Sequence, residues 1–356
     1  MRKLPRLGVI TASFGRLVDF WVAVELSRSD TYPNRALIKS HLCNTFWSFN
    51  AQNEFPFIAS RLKGNLRIGG KYYYFLYRML SKLKVNKLLT HTENVGIDTR
   101  KMYDEIDRES ILEVKKQLKG SSDLIGKLKD SQVNLNSLCL LYVRSSYWEE
   151  SRGVRQRNLE VHRNGDLEKI DSIIDYVISL GFSVVRVGRE LDSSKSRIGF
   201  FDYSTSSAVC DRNDLFLWSK ANFAITTHGG ANEPAFLFKT PLLLIDFGEY
   251  WNLINNIAKI PYLILPKTFR DKTGKKISPS EMQKKGLIFG PARNALFFKE
   301  QEITLENCET NECLSAIKDF VDYIRGDETL MNISWSDLGI QVSGGDLFVS
   351  KRYKLS

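Results

Sequence analysis

The chain has 356 residues, 43% of them hydrophobic and 26% charged, an ordinary globular composition with enough length for two packed cores. Its net charge of +10 favours anionic partners without choosing among nucleotides, nucleic acid and acidic membranes. The five scattered cysteines, Cys43, Cys139, Cys210, Cys308 and Cys313, match neither a disulfide framework nor a zinc site, and no run reaches the about 20 apolar residues of a membrane span.

In chain order, "RLGVIT" (Arg6–Thr11) is a short β-branched run and predicts a first strand. "ASFGRL" turns the chain into a helix, "RLVDFWVAVELSR", so the chain opens as an α/β unit. Arg61 to Lys87 then holds eight Lys or Arg and no acidic residue, interleaved with "YYYFLYRML". Two readings fit it: an interfacial patch for anionic lipid or a polyanion, or a helix with a tyrosine-rich core face and a basic solvent face. Tyr103–Lys119 predicts a helix, and the polar stretch Gly120–Asn136 separates an N-terminal α/β domain (1–130) from the rest of the chain.

From Ser137 the pattern is regular. "LCLLYV" is a continuous apolar strand, and "DLEKIDSIIDYVISL" places Leu167, Ile170, Ile173, Ile174, Val177 and Ile178 on one helical face, with Gly181 suited to the position after its end. Asn164 reads as a cap for that helix. "FSVVRVG" is the next buried strand, "NDLFLWSKA" a short helix, and "NFAITTHGGANEPAFLFKTPLLLIDF" a strand, a loop, a helix and another strand. Alternating buried strands and helices predict a parallel sheet covered on both faces, a Rossmann-like domain over 137–326. Ser278-Pro279-Ser280-Glu281 is a helix start. Leu314, Ile317, Phe320, Val321 and Ile324 mark a last helix stopped at Gly326, and "IQVSGGDLFVS" predicts a hairpin in a C-terminal tail, 327–356.

Open parallel sheets bind ligands beyond the C-terminal ends of their strands. Arg144 follows "LCLLYV", Arg186 and Gly188 end "FSVVRVG", and Thr227-His228-Gly229-Gly230-Ala231-Asn232-Glu233 follows "FAIT". These residues share one rim. His228, one of only four histidines, stands beside two glycines where a core needs no polar group. Glycines allow a ligand to approach the backbone, a helix start donates N–H groups to an anion, and an arginine grips phosphate with two hydrogen bonds.

The order of motifs in "LLYVRSSYW", "HRNGDLEKIDSIIDYVISLGFSVVRVG", "FDYS" and "DLFLWSKANFAITTHGGANEPAFLFKTPLLLID" resembles a family of bacterial glycosyltransferases linked to surface polysaccharide synthesis. The likeness covers Leu138 to Phe247, about a third of the chain, with a looser similarity at the "FGRL" turn, Phe14–Leu17. Members of that family carry serine and glycine where this chain has Thr227-His228-Gly229-Gly230. The layout is similar, more broadly, to sugar-nucleotide transferases built from two Rossmann-like domains whose parallel sheets face across a cleft.

This resemblance implies an α/β fold of that GT-B-like class and a sugar transfer from a nucleoside-diphosphate sugar to a glycan or lipid-linked acceptor. It implies that Arg144 holds the donor diphosphate, with Arg163, Asn164, Arg186, Gly188 and the loop Thr227–Glu233 around it. Asp202 and Tyr203 would lie near the base or ribose, and Gly15 and Arg16 on the acceptor side. Arg144 would act on the leaving phosphate, and His228 on that phosphate or on the acceptor, with Asp19 a candidate base. No Asp-x-Asp motif occurs, so neutralisation of the leaving group falls to arginine and backbone amides, with no metal and no cofactor besides the co-substrate. The expected setting is cytoplasmic, peripheral to a membrane through Arg61–Lys87, without a nucleic-acid partner. Two other readings stay open: a nucleotide-sugar epimerase or pyruvyl transferase, and a non-catalytic polyanion binder.

Overall fold

The computed structural model describes residues 6–10, 45–49, 57–58, 60, 67–69, 71–83, 89–91, 108–145, 161–189, 195–227, 229–248, 260–287, 295–326, 331–334 and 346–349. Its contacts divide the chain into two compact units. One contains Met1–Gly120, Cys210–Ser219 and Gly230–Phe238; the other contains Ser121–Val209, Lys220–Gly229 and Lys239–Ser356.

In the first unit, β1 (Arg6–Ile10), β2 (Thr45–Phe49), β3 (Arg67–Gly69) and β4 (Leu89–His91) form a parallel sheet in the order β3-β2-β1-β4. The predicted first strand holds β1. Helix α1 (Lys71–Lys82) follows β3 and packs against β1 and β2, and α2 (Arg108–Gln117) lies within the helix predicted over Tyr103–Lys119.

In the remaining chain, α3 (Ser122–Asp130) occupies the polar stretch that reads as a linker; the Ser121 hydroxyl caps it by accepting the Leu124 N–H at 3.2 Å. Then come β5 (Leu138–Tyr142), α4 (Ile170–Ser179), β6 (Ser183–Arg186), β7 (Phe200–Asp202), α5 (Asp211–Lys220), β8 (Phe223–Thr226), α6 (Glu233–Phe238), β9 (Leu242–Phe247) and β10 (Tyr262–Pro266). The six strands form a parallel sheet in the order β10-β9-β8-β5-β6-β7. Read from the other edge, the strands run 3-2-1-4-5-6 in chain order, the order of doubly wound nucleotide-binding sheets. The α/β expectation therefore holds, with parallel sheets in both units.

β5, β6, β8, β9 and β10 are buried at nearly every position, as expected of continuous Val/Ile/Leu runs covered on both faces. One face packs Cys139, Leu141, Val184, Phe223, Ile225, Leu243 and Leu263 against α4 and the last long helix, α9 (Thr310–Ile324). The start of α7 (Pro279–Lys284) closes as the sequence predicts: Glu281 accepts the Ser278 N–H at 2.9 Å, and Ser278 Oγ accepts the Glu281 N–H at 3.3 Å. Gly181 and Gly326 come after α4 and α9 with φ of +86° and +99°, the left-handed geometry that stops a helix.

Two details differ from expectation. The helix expected from Asp166 begins at Ile170, so Asn164 caps nothing. Asp166 instead makes a local turn, its Oδ1 accepting the Glu168 N–H at 2.9 Å. In the C-terminal tail β14 (Asp346–Val349) pairs antiparallel with β13 (Met331–Ser334), a partner that the sequence pattern does not announce. "IQV", Gly344 and Gly345, the rest of the expected hairpin, lie outside the described residues. An antiparallel pairing of β11 (Thr268–Arg270) with β12 (Thr304–Glu306), with α8 (Ala295–Glu300) between them in sequence, completes the order.

Candidate active site

The sheet reverses direction between β5 and β8: β6 and β7 extend it to one side of β5, and β8 returns to the other. The crevice beyond the carboxyl ends of those two strands is where doubly wound sheets bind ligands. Three segments are sewn together there. The Thr227 N–H donates to the Tyr142 carbonyl at 2.9 Å, and the Arg144 N–H donates to Thr227 Oγ1 at 2.8 Å. The Gly165 N–H donates to the Arg144 carbonyl at 2.9 Å. Arg144, Thr227 and the Asn164–Gly165 turn, far apart in sequence, therefore meet at the switch point.

The sequence suggests a solvent-facing arginine after β5. Arg144 is instead only 5% exposed, because its backbone is held on both sides by Thr227 and Gly165. Ser145 and Thr227 are buried beside it. Gly165 has a steric reason that the sequence alone does not show. A Cβ there would stand 2.6 Å from Thr227 Cγ2 and 2.8 Å from Val143 Cγ1. Only glycine lets the turn close onto the strand ends.

Tyr142, the last residue of β5, is equally hidden in the sequence, since it ends an apolar run and looks like core. Its ring is half-buried between two glycines. A Cβ on Gly229 would meet it at 3.0 Å, and a Cβ on Gly188 at 3.2 Å. Gly188 also has φ of +122°, which a side chain rarely adopts. The glycines at the ends of β6 and β8 thus make room for an aromatic ring of the protein itself.

A buried ionic clasp fixes the turn from below. Asp246 near the end of β9 has φ of +50°, is fully buried, and accepts three hydrogen bonds. The donors are the Asp166 N–H at 3.1 Å, the Cys308 N–H at 2.8 Å and Lys169 Nζ at 3.2 Å. Lys169, itself 2% exposed, also donates to the Cys308 carbonyl. Burial opposes the Lys169 charge, but nearby Cys313 and Asp246 outweigh it and hold its pKa above the ordinary lysine value. Lys267, just after β10, donates to the Asn164 carbonyl at 2.6 Å and to Asn307 Oδ1. Burial lowers the Lys267 pKa, and the Asp246 charge only partly offsets it. The turn carrying Asn164 is therefore held by a lysine at each end.

The other expected site residues are more dispersed. Arg186 is 3% exposed and pairs with Asp202 at 3.3 Å across β6 and β7, and Asp202 Oδ1 also accepts the Ser204 hydroxyl at 2.6 Å. Tyr203 is fully buried, its ring centroid 6.4 Å from that of Phe201. Arg163 is half-buried and ends a short 3-10 turn, Val161–Arg163. Gly230, Ala231 and Asn232 form another such turn before Glu233 opens α6, and these four residues group with the first unit. α6 has six residues, too few aligned peptide dipoles for the anion-binding helix start that the sequence suggests. Gly15, Arg16, Asp19 and His228 lie outside the described residues.

No protein-family model and no curated protein matches this sequence. Among solved structures, the chain is similar to the crystal structure of the glycosyl transferase family 9 from Veillonella parvula DSM 2008. That likeness has 10% identity and a TM-score of 0.41, and it covers 90% of this chain and 98% of that one.

Proposed function

We propose that the protein is a metal-independent glycosyltransferase. It moves a sugar from a nucleoside diphosphate to a glycan or lipid-linked acceptor, in cell-surface polysaccharide synthesis. The observation that carries the reading is the placement of Arg144 at the switch point of a 3-2-1-4-5-6 sheet, tied to Thr227 at 2.8 Å. The motif order from Leu138 to Phe247 supports the same reading through its resemblance to surface-polysaccharide transferases.

The chemistry asks for charge neutralisation. As the sugar leaves, negative charge builds on the departing diphosphate, and an arginine in a site of low dielectric stabilises it strongly. Arg144 takes that role, because a buried guanidinium is poorly solvated and gains more from an incoming phosphate than an exposed one. The Asn164–Gly165 turn and Thr227 hold the arginine's backbone so that no reorganisation is needed when charge appears. His228 is assigned to the leaving phosphate or the acceptor, and Asp19 to the acceptor hydroxyl.

The test is calorimetric titration of UDP, GDP and dTDP into the wild type, Arg144→Lys and Arg144→Met, with melting recorded for each. One nucleotide should bind in the presence of excess chelator, and both variants should weaken it at least about tenfold, a loss of about 1.4 kcal/mol. Because Arg144 is buried, both should also melt lower, which is why affinity is measured well below melting. Nucleotide affinity untouched by either variant would remove Arg144 from the site. Conversion of a sugar nucleotide without acceptor would replace transfer by epimerisation.

A further inference from the structure

Helix α1 buries Tyr77, which is 7% exposed, and leaves another face bare. Tyr72 is 88% exposed, Phe75 66%, Leu76 40%, Met79 44% and Leu83, one residue past the helix, 66%. Five of the nine large hydrophobics exposed among the described residues therefore sit on this one element. Their spacing puts them within an arc of about 100° on a helix with 3.6 residues per turn. The same helical count puts exposed Arg78 and Lys82 together along one flank of that arc. The sequence allows a helix with its tyrosines in the core and its charges in water; the Tyr72 ring is instead among the most exposed side chains described.

A monomeric soluble surface scatters its exposed apolar residues, whereas a contiguous stripe of large ones marks a contact surface. The charge identifies the contact. From Arg61 to Lys87 the chain has eight basic residues and no acidic one. A second copy laid on the stripe would bring two such sets together, and their mutual repulsion opposes that pairing. An anionic bilayer attracts the basic set and solvates the stripe at the same time. Tyrosine and phenylalanine at the level of the headgroups are the usual anchors of such a contact.

We infer that α1 docks the protein on an anionic phospholipid surface, with Tyr72, Phe75, Leu76, Met79 and Leu83 entering the headgroup–acyl boundary. Arg78 and Lys82 lie along the headgroups. The helix lies in the plane of the interface: among the described residues, no helix is long and apolar enough to cross a membrane. Docking of this kind is independent of the transferase reading, since it uses no residue of the switch-point crevice.

The experiment is cosedimentation of the full chain with vesicles of phosphatidylcholine alone and of phosphatidylcholine with phosphatidylglycerol. The wild type should bind the second and leave the first in the supernatant. Phe75→Asp with Met79→Asp should reduce partitioning at least tenfold at any salt concentration. Lys82→Gln should reduce it about fivefold at low salt, with the difference shrinking as salt rises. Both sets of side chains are exposed, so melting should stay near wild type; should the double variant melt early, Leu83→Asp replaces it. A wild type that ignores anionic vesicles overturns the proposal. So does equal partitioning of the stripe variants. A soluble dimer that Phe75→Asp with Met79→Asp disperses would also overturn it, reassigning the face to contact between copies.

Discussion

Lys169→Met should be among the most destabilising single changes in the second unit. The methionine keeps the length of the lysine stem and removes only the ammonium group. That leaves Asp246, fully buried, with a charge and two backbone donors, the Asp166 and Cys308 N–H groups, in place of three donors. Removing one partner of a buried pair costs about 3–5 kcal/mol, and the two surviving donors place this case near about 3. For a unit of this size, about 3 kcal/mol lowers the melting temperature by roughly 6–12 °C. Adding Asp246→Asn should return part of the loss, since a buried amide costs less than a buried carboxylate. The double-mutant cycle by denaturant unfolding should give a coupling above about 1 kcal/mol. The pH dependence has a definite sign. The folded pKa of Lys169 lies above its ordinary 10.5, so its contribution is fully present below 10.5 and disappears as pH rises through the folded value. The stability gap between wild type and Lys169→Met should be flat across roughly pH 6–9 and close above that window. A melting temperature within about 2 °C of wild type, or a coupling near zero, would show that the clasp does not hold the fold together.

Lys267 predicts the opposite alkaline trend: its pKa is lowered by burial, so the unfolded chain binds more protons, and its contribution to stability rises with pH up to the ordinary 10.5. Lys267→Met should abolish that rise in a series of alkaline melts. Gly165→Ala should displace Thr227, which a new Cβ would approach to 2.6 Å, and should weaken the titrated nucleotide severalfold. Gly229→Ala should be destabilising in the wild type and substantially less so in a Tyr142→Ser background, since the ring is what the new methyl group meets at 3.0 Å. Equal costs in both backgrounds would show that something other than Tyr142 demands the glycine.

The six-stranded sheet was legible because its strands are unbroken apolar runs and its helices carry their own punctuation. Leu138–Tyr142 and Phe223–Thr226 read as buried strands, and Ser278, Glu281, Gly181 and Gly326 mark helix ends by local chemistry alone. Arg144 and Thr227 could be assigned to one rim from strand-end position. The clasp could not be read: Lys169 and Asp246 stand 77 residues apart, and each resembles an ordinary surface charge until the sheet is assembled. The start of α4 was misplaced for the same reason. Asp166–Lys169 look helical by pattern, yet Asp166 makes a local turn and sends its N–H to distant Asp246. Tyr142 was hidden by its neighbours, as an aromatic residue ending an apolar strand gives no sign that two glycines will flank it.

The partition of the chain bears on whether its halves can be exchanged like cassettes. β8, central to the larger sheet, is preceded by Cys210–Ser219 and succeeded by Gly230–Phe238, both of which belong by contact to the smaller unit. A single cut at Gly120 therefore yields no self-sufficient piece. A fragment beginning at Ser121 would retain Asp211, 1% exposed in the intact chain, while losing the Ile58 N–H that its carboxylate accepts at 2.7 Å. That acid would keep the Arg212 N–H, which it accepts at 3.0 Å, but would carry more of the penalty of burial, or would drag α5 open to reach water. Recombination that trades one half for a homologue's must replace three stretches together, so the two halves are constrained to diverge as a matched set.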